Sequence, residues 1–285
     1  MLRLLIRAVP CLLLANCASP RPAAKAFHSP PIEAEQPEEL PIRQIVIDPG
    51  HGGQDPGAMY HGLREKDLAL DIGLRLRDDL AARGLAVTMT RDHDEFIALS
   101  KRSNVANRLP ADLFLSVHIN ANPNHRISGV EVYYPKESVV DTDSSFPPGI
   151  ESTEVAVPTW TIKQILWDLV LVRSRRASTR VASHVCRALR DQLGVPCRGV
   201  KGARFVVLRE AQMPAVLVEV GFVSNQPEAG RLASQAYRGA IAKAIADGVI
   251  SYARELAAQR QPSSVKPSLA AVHREPDSAT TMTTP

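Results

Sequence analysis

Short apolar runs alternate along the chain with longer stretches in which apolar residues recur every three or four positions. The first run covers residues 45–47 and stops at Asp48-Pro49-Gly50, where proline and glycine favour a loop. The next stretch has the spacing of a helix that Gly84 ends, and its apolar stripe consists of Leu68, Ile72, Leu76 and Leu80. The folded part of the chain is therefore predicted to begin with a buried strand and an amphipathic helix.

The same alternation continues to residue 249 and predicts a regular series of elements. Strands are expected over residues 86–90, 112–120, 130–134, 205–208 and 215–220. Helices are expected over residues 100–109, 162–193 and around 241–249. The strand at 130–134 should lie near an edge of the sheet. Because strands alternate with helices, we expect an α/β fold: a single domain with a mostly parallel twisted sheet and helices on both faces.

The first 17 residues, MLRLLIRAVPCLLLANC, combine two arginines with an apolar stretch. That stretch is shorter than the about 20 residues that a membrane-spanning helix needs, so it predicts an export signal and a periplasmic location. Residues 14–17 resemble a bacterial lipoprotein processing box, in which the cysteine is lipidated and becomes the first mature residue. We therefore expect a lipid anchor to the outer membrane at Cys17, with a plain cleaved signal peptide as the alternative.

Three further segments depart from the alternating pattern. Residues 18–40 are predicted to be a flexible linker and residues 258–285 a disordered tail, because both contain too few apolar residues to offset the entropy of ordering. Residues 135–160 lose all periodicity and contain four prolines, which predicts a long loop or insertion. One folded domain remains, over residues 41–257, with the insertion inside it.

Composition supports a globular protein and narrows the function classes. Of the 285 residues, 45% are hydrophobic and 22% are charged, values close to the globular average. The net charge of +4 is a small basic excess, so we expect no nucleic acid among its partners. None of the four cysteines forms a CxxC pair, which argues against a cysteine-built zinc site. Cys186 and Cys197 lie eleven residues apart across a predicted helix end, where an oxidising compartment would allow a disulfide.

Unusual polar residues stand at the ends of predicted strands. His51 follows the first strand, His118 lies near the end of the third, and Glu219 interrupts an otherwise apolar strand. Glu65 starts the first helix, where the helix dipole also favours a carboxylate. Because ligands of parallel α/β sheets bind beyond the carboxyl ends of the strands, we expect these four side chains to converge.

Two imidazoles and one carboxylate form the ligand set of a catalytic zinc ion that keeps one position open for water. His51, Glu65 and His118 offer this set, so Zn²⁺ is the expected cofactor. Zinc lowers the pKa of a bound water to about 7, which makes hydroxide available at neutral pH. Glu219 would accept a proton from the water and return it to the leaving nitrogen, a general-base contribution of about 10² to 10⁴ in rate.

Each of these residues also has a purely structural interpretation. His51 alone fits a hydrogen-bonding loop residue, His118 a histidine satisfied in the core, and Glu65 a helix cap. Glu219 is the hardest to explain in this way, because an unpaired carboxylate inside an apolar strand costs several kcal/mol. Its position requires either a partner or a function.

Seven motifs occur in a fixed order along residues 43–255: IVIDPGHGGQDPGA, REKD, TR, SVHINA, GVEVYY, ILWDL and VLVEVGFVSN. Together they resemble the zinc-dependent N-acetylmuramoyl-L-alanine amidases of bacterial cell-wall turnover, the type that separates daughter cells. Matched motif by motif, the resemblance implies zinc ligands at His51, Glu65 and His118 and a catalytic glutamate at Glu219. It also implies peptidoglycan as substrate, cut at the amide between the lactyl group of N-acetylmuramic acid and L-alanine of the stem peptide.

The resemblance also suggests regulation. Regulated members of the family carry an inhibitory segment between the GVEVYY strand and the ILWDL helix, where it covers the zinc and adds a carboxylate. Residues 135–160 occupy that position and contain Glu137, Glu151 and Glu154, so a protein activator acting on this insertion is an expected partner. A surface loop without a regulatory role is the alternative.

Two other functions remain compatible with the sequence. One is a zinc peptidase that cuts within the stem peptide, since the same metal chemistry serves both reactions. The other is a non-catalytic module that uses the groove only to grip the cell wall. Loss of a ligand or of Glu219 would favour the binding module, and all four residues are present.

Overall fold

The computed structural model describes residues 40–136 and 159–260, with side chains described from residue 172 onward in the second range. The predicted export signal, linker, insertion and tail lie almost entirely outside the described residues, and they stay predictions. No helix in the described ranges combines the length and apolar character needed to cross a membrane.

The described part of the chain alternates strands with helices, as the hydrophobic pattern predicts. The strands are β1 (Gln44–Pro49), β2 (Met59–Tyr60), β3 (Leu63–Arg64), β4 (Ala86–Met89), β5 (Leu113–Asn120), β6 (Val130–Pro135), β7 (Cys197–Ala203) and β8 (Ala215–Phe222). The helices are α1 (Glu65–Ala82), α2 (Leu99–Asn107), α3 (Thr159–Leu193), α4 (Val206–Arg209), α5 (Gln226–Ala233) and α6 (Gln235–Arg260).

Six of the strands form one sheet in the order β4-β1-β5-β8-β6-β7, while β2 and β3 pair separately as a small hairpin. Neighbouring strands of the large sheet run parallel, except that β6 and β8 are antiparallel. The predicted mostly parallel sheet is thus confirmed, and β6 lies next to the edge strand β7 as expected. Because β1, β5 and β8 are adjacent and parallel, this order places their carboxyl ends side by side.

Helices cover both faces of this sheet. On one face α1, α3 and α6 contribute to a large buried core, which includes Ile45, Ile72, Leu115, Val185, Val218 and Ile245. On the other face α2 and α4 pack on a smaller cluster, which includes Val46, Ala106, Phe114, Val207 and Leu217. Consecutive residues of a strand point to opposite faces, so Val46 and Ile45 belong to different clusters. The second face is the one that carries the polar residues described below.

The sequence predicts a strand over residues 205–208, and this prediction is wrong. Residues Val206–Arg209 form helix α4, where Val207 and Leu208 are buried against the sheet. The edge strand lies earlier, at Cys197–Ala203, and its side chains are only partly buried. An edge strand needs no apolar run, so this segment with two glycines and two basic residues gives no strand signal in the sequence.

A disulfide joins Cys186 of α3 to Cys197 of β7, with the two Cα atoms 5.8 Å apart. The pairing that the sequence allows is therefore present. The bond ties the carboxyl-terminal part of α3 to the edge strand, across a sequence separation of 11 residues. By closing this loop, the disulfide restricts the chain in the unfolded protein as well.

We expect the double variant Cys186→Ala, Cys197→Ala to fold but to lose about 2 to 3 kcal/mol of unfolding free energy, because the short loop is no longer closed. Urea denaturation followed by circular dichroism measures the difference. Wild-type protein treated with reductant serves as the control and should resemble the variant. Equal midpoints for the oxidised wild type and the variant would contradict this role of the disulfide.

Candidate metal centre and catalytic carboxylate

The predicted site residues meet at one end of the sheet. His118 of β5 and Glu219 of β8 are register partners on adjacent strands. His51 follows β1 on the other side of β5, and Glu65 is the first residue of α1. Side-chain ligand atoms of His51, Glu65 and His118 all lie within 4.8 Å of one another. The structure therefore brings together the three residues that the sequence proposes as ligands.

Both imidazoles face the carboxylate of Glu65. Nε2 of His51 lies 3.1 Å from Oε2 of Glu65, and Nδ1 of His118 lies 2.8 Å from Oε1. The two rings are roughly perpendicular, with centroids 5.0 Å apart. Two ring nitrogens and a carboxylate that converge in this way are the donor types that zinc prefers.

Neighbouring groups fix the orientation of the donors. Oδ2 of Asp55 lies 2.7 Å from Nδ1 of His51, which leaves Nε2 to face Glu65. The carboxylate of Glu65 also accepts hydrogen bonds from the backbone N–H groups of Ala58 and Ile119, at 2.9 and 3.1 Å. A carboxylate behind a ligand histidine is a recurrent feature of metal sites. Asp55 was not among the predicted site residues, although its position four residues after His51 is a signal that could have indicated it.

Hydrogen bonds decide the charge of Glu65. Burial alone would raise the pKa of this carboxyl, but its hydrogen bonds with His118 and His51 outweigh that effect and hold the pKa well below the usual range. Glu65 is therefore an anion at neutral pH. An ionised carboxylate is the form that binds a cation.

Because Gly50 and Gly57 have no side chains, the side chains of His51, Glu65 and His118 can occupy the space beside them. A Cβ atom on Gly50 would lie 2.3 Å from Cε1 of the His118 ring. A Cβ atom on Gly57 would lie 2.6 Å from both the His51 ring and Oε2 of Glu65, and the φ of +63° at Gly57 is itself one that favours glycine. Side chains at these positions would displace the donors.

Two buried arginines, Arg91 and Arg102, hydrogen-bond to the loop that carries His51. Arg102 donates to Oδ1 of Asp48 at 2.9 Å and to the carbonyl of His51 at 2.6 Å. Arg91 donates to the carbonyl of Gly50 at 2.7 Å. Such support matters because His51 has a φ of 58°, a left-handed conformation that is uncommon for residues other than glycine. Arg102 lies on α2, and no pattern in the sequence pointed to it.

Glu219 stands beside this cluster, and one of its carboxyl oxygens is left unsatisfied. Its Oε2 atom is out of contact with solvent and has no hydrogen-bond partner among the residues that the structure describes. Burial raises the pKa of Glu219 well above the usual carboxyl range, and the nearby carboxylates of Glu65 and Glu131 raise it further. A raised pKa brings a carboxyl closer to the pH at which it can both take up and give back a proton.

The chain matches known proteins over the same region. Residues 45–251 match the family model described as N-acetylmuramoyl-L-alanine amidase. The amidase LytC of Bacillus subtilis (strain 168) is 36% identical over 210 residues, which cover 74% of this chain and 35% of LytC. The amidase AmiA of Escherichia coli (strain K12) is 35% identical over 219 residues, which cover 74% of this chain and 76% of AmiA.

Among solved structures, the fold is similar to that of the CwlD amidase from Clostridioides difficile, which was determined in complex with the GerS lipoprotein. The TM-score is 0.60 at 25% sequence identity, and the likeness covers 75% of this chain and 99% of CwlD. The region that matches the family model, residues 45–251, contains His51, Glu65, His118 and Glu219.

We expect Gly50→Ala to weaken zinc binding about 10- to 100-fold, as changes around metal ligands usually do, because the new methyl group displaces the His118 ring. Competition with a chromophoric chelator measures the affinity. Gly230→Ala is the matched control, since a Cβ atom there meets no atom within 4 Å. Equal zinc affinity of the two variants would show that the close packing at Gly50 is not required.

Proposed function

The chain belongs to the N-acetylmuramoyl-L-alanine amidase family and is a peptidoglycan amidase, and from this premise we propose that it is a zinc enzyme with Glu219 as its general base. The proposed zinc ligands are His51, Glu65 and His118. The observation that carries the proposal is their convergence next to the Oε2 atom of Glu219, for which the described residues offer no hydrogen-bond partner. A buried carboxylate oxygen without a partner is costly unless it serves the reaction.

In the proposed mechanism each residue has one task. A zinc ion, when bound, supplies the Lewis acidity that activates water and polarises the substrate carbonyl. Glu219 takes a proton from the water as its oxygen bonds to the lactyl carbonyl carbon. Glu219 then gives the proton to the L-alanine nitrogen as the carbon–nitrogen bond breaks. Asp55 holds His51 in one orientation, so that the donor set is formed before substrate arrives.

The other functions that the sequence leaves open have less support. A stem-peptide peptidase would use the same site, but the family and the relatives that match are amidases. A non-catalytic wall-binding module has no need for an unsatisfied carboxyl beside three metal donors. Hydrolysis between N-acetylmuramic acid and L-alanine therefore agrees best with the site.

We also infer where the enzyme acts and with which partners. The arginine-containing apolar start of the chain supports export to the periplasm, and Cys17 supports a lipid anchor in the outer membrane. Daughter-cell separation is the proposed process. A protein activator acting on residues 135–160 is proposed as well. CwlD was solved with a lipoprotein partner, which supports the idea that amidases of this fold bind other proteins.

We expect Glu219→Gln to keep its zinc and its fold but to lose about 10² to 10⁴ in turnover, because the proton carrier is removed. Metal analysis and the release of stem peptides from peptidoglycan, followed by mass spectrometry, measure both properties. His118→Ala is the comparison, since it should lose the metal as well. Full activity of Glu219→Gln would contradict the general-base role.

Deletion of residues 140–158 should raise stem-peptide release by the isolated enzyme if the insertion restrains the site. The same peptidoglycan assay, run without any added protein, measures the change. Zinc content should be equal in the deleted and full-length chains. Unchanged activity would remove the proposed inhibitory role and leave a surface loop.

A further inference from the structure

The polar face of the sheet continues past Glu219 toward the edge. Glu131 of β6 is the register partner of Glu219, and Lys201 of β7 is the register partner of Tyr133. Register partners point to the same face, so these side chains form a strip next to the proposed general base. Tyr133 packs with the smaller cluster beneath α2 and α4, which fixes the face.

Glu131 is the buried centre of this strip. Its Oε1 atom accepts a hydrogen bond from Nζ of Lys201 at 2.6 Å. Its Oε2 atom accepts from the hydroxyl of Tyr133 at 2.6 Å and from the side-chain amide of Asn120 at 3.2 Å. A carboxylate held by this many donors is rigid, and it fixes the position of the groups that surround it.

Two cationic side chains of the edge strand meet the carboxylate of Glu131. Nε of Arg198 lies 3.5 Å from the same Oε1 atom that Lys201 contacts, so two cations share one carboxylate. The side chains of Lys201 and Arg198 are 44% and 39% exposed, whereas that of Glu131 is 8% exposed. The cationic groups are therefore open to solvent, while the carboxylate between them is buried. The ammonium group of Lys201 has three N–H donors and uses one of them on Glu131. A carboxylate is a favourable acceptor for the other two N–H groups.

The distance from Glu219 limits which carboxylate can bind. Neighbouring strands are about 4.8 Å apart, so β7 lies about 10 Å from β8; because Lys201 is level with Leu217, two residues along β8 from Glu219, the backbones at Lys201 and Glu219 are about 12 Å apart. An extended peptide advances about 3.3 to 3.6 Å per residue, so this distance corresponds to about three residues. The ring of Phe205 packs edge-on against that of Tyr133, with ring centroids 5.2 Å apart. Phe205 is 39% exposed, so it adds apolar surface next to Lys201 and Arg198.

We propose that Lys201 and Arg198, positioned by Glu131, form a subsite for a carboxylate of the stem peptide within about three residues of the scissile amide. The subsite rests on the proposed function, because its distance is counted from Glu219 as the reacting end. With this subsite, the enzyme would select its substrate by the negative charge of the stem peptide as well as by the glycan.

The test compares two N-acetylmuramoyl peptides that differ only in whether the second residue of the peptide carries a free α-carboxylate or its amide. Binding is measured by calorimetry in the full-length Glu219→Gln protein, where turnover is suppressed. Lys201→Met is added to this background, as is Lys201→Arg, which keeps the charge. Lys243→Met is the matched control, since Lys243 also pairs with a carboxylate but lies on α6 away from the site.

We expect the free-carboxylate peptide to bind about tenfold more tightly than the amide, as one charged hydrogen bond would provide. Lys201→Met should abolish that preference, and Lys201→Arg should retain most of it. The Lys243→Met control should leave it unchanged. Equal binding of the two peptides, or a preference that survives Lys201→Met, would overturn the subsite.

Kinetics with the otherwise wild-type chain separate this inference from the amidase function. Lys201→Met should raise KM for the free-carboxylate peptide about tenfold, with kcat nearly unchanged. Cleavage of both peptides with one KM, in wild type and variant alike, would refute the subsite and leave the amidase function standing. Failure of the zinc-loaded chain to cleave the muramoyl amide at all, even after deletion of residues 140–158, would instead contradict the amidase function.

Discussion

The carboxylate of Glu65 is the group on which the whole site depends. Both of its oxygens are engaged, one by His51 and a backbone N–H, the other by His118 and a second backbone N–H. These contacts join the loop after β1, the start of α1 and the end of β5 in one place. Glu65 also stays ionised, because its pKa is lowered, while burial and the neighbouring carboxylates raise the pKa of Glu219 above the usual carboxyl range. Two carboxyl groups whose pKa values are pushed apart in this way can serve as ligand and as general base.

The site is built into a strained loop, and buried charge holds that loop in place. Asp48 is fully buried and accepts hydrogen bonds from Thr90, Arg102 and Ser116. The buried guanidinium groups of Arg102 and Arg91 donate to carbonyls of the same loop, and Arg102 also pairs with the carboxylate of Asp48. Stability and function are therefore linked, because removal of Arg102 would leave the charge of Asp48 without its cation and the loop without one of its supports.

Much of this arrangement could be predicted from the sequence, for a simple geometric reason. Parallel strands end at one edge of a sheet, so His51, His118 and Glu219 could be expected to meet once each was assigned to a strand end. Glu65 was predictable because it completes the set of two imidazoles and one carboxylate that the motifs imply. Arg102 was not, since its role follows from a helix position that only the fold reveals, and Asp55 had only its spacing of four residues from His51 to indicate it.

The edge of the sheet was the least predictable part. The sequence prediction assigned a strand to the residues that form α4 and no element to those that form β7, because an edge strand lacks an apolar run and a buried turn of helix has one. The sequence could suggest the disulfide without establishing it, since the bond depends on the distance between two Cα atoms. The same edge carries Lys201 and Arg198, whose relation to Glu219 depends on strand order rather than on any local pattern.

Anomalous scattering at the zinc absorption edge, from crystals of protein purified without chelators, would locate the metal and its ligands in one experiment. We expect one strong peak bounded by the imidazoles of His51 and His118 and the carboxylate of Glu65, with the Glu219 carboxyl facing it. A peak elsewhere, or no peak in protein that hydrolyses peptidoglycan, would contradict the zinc site proposed for this amidase.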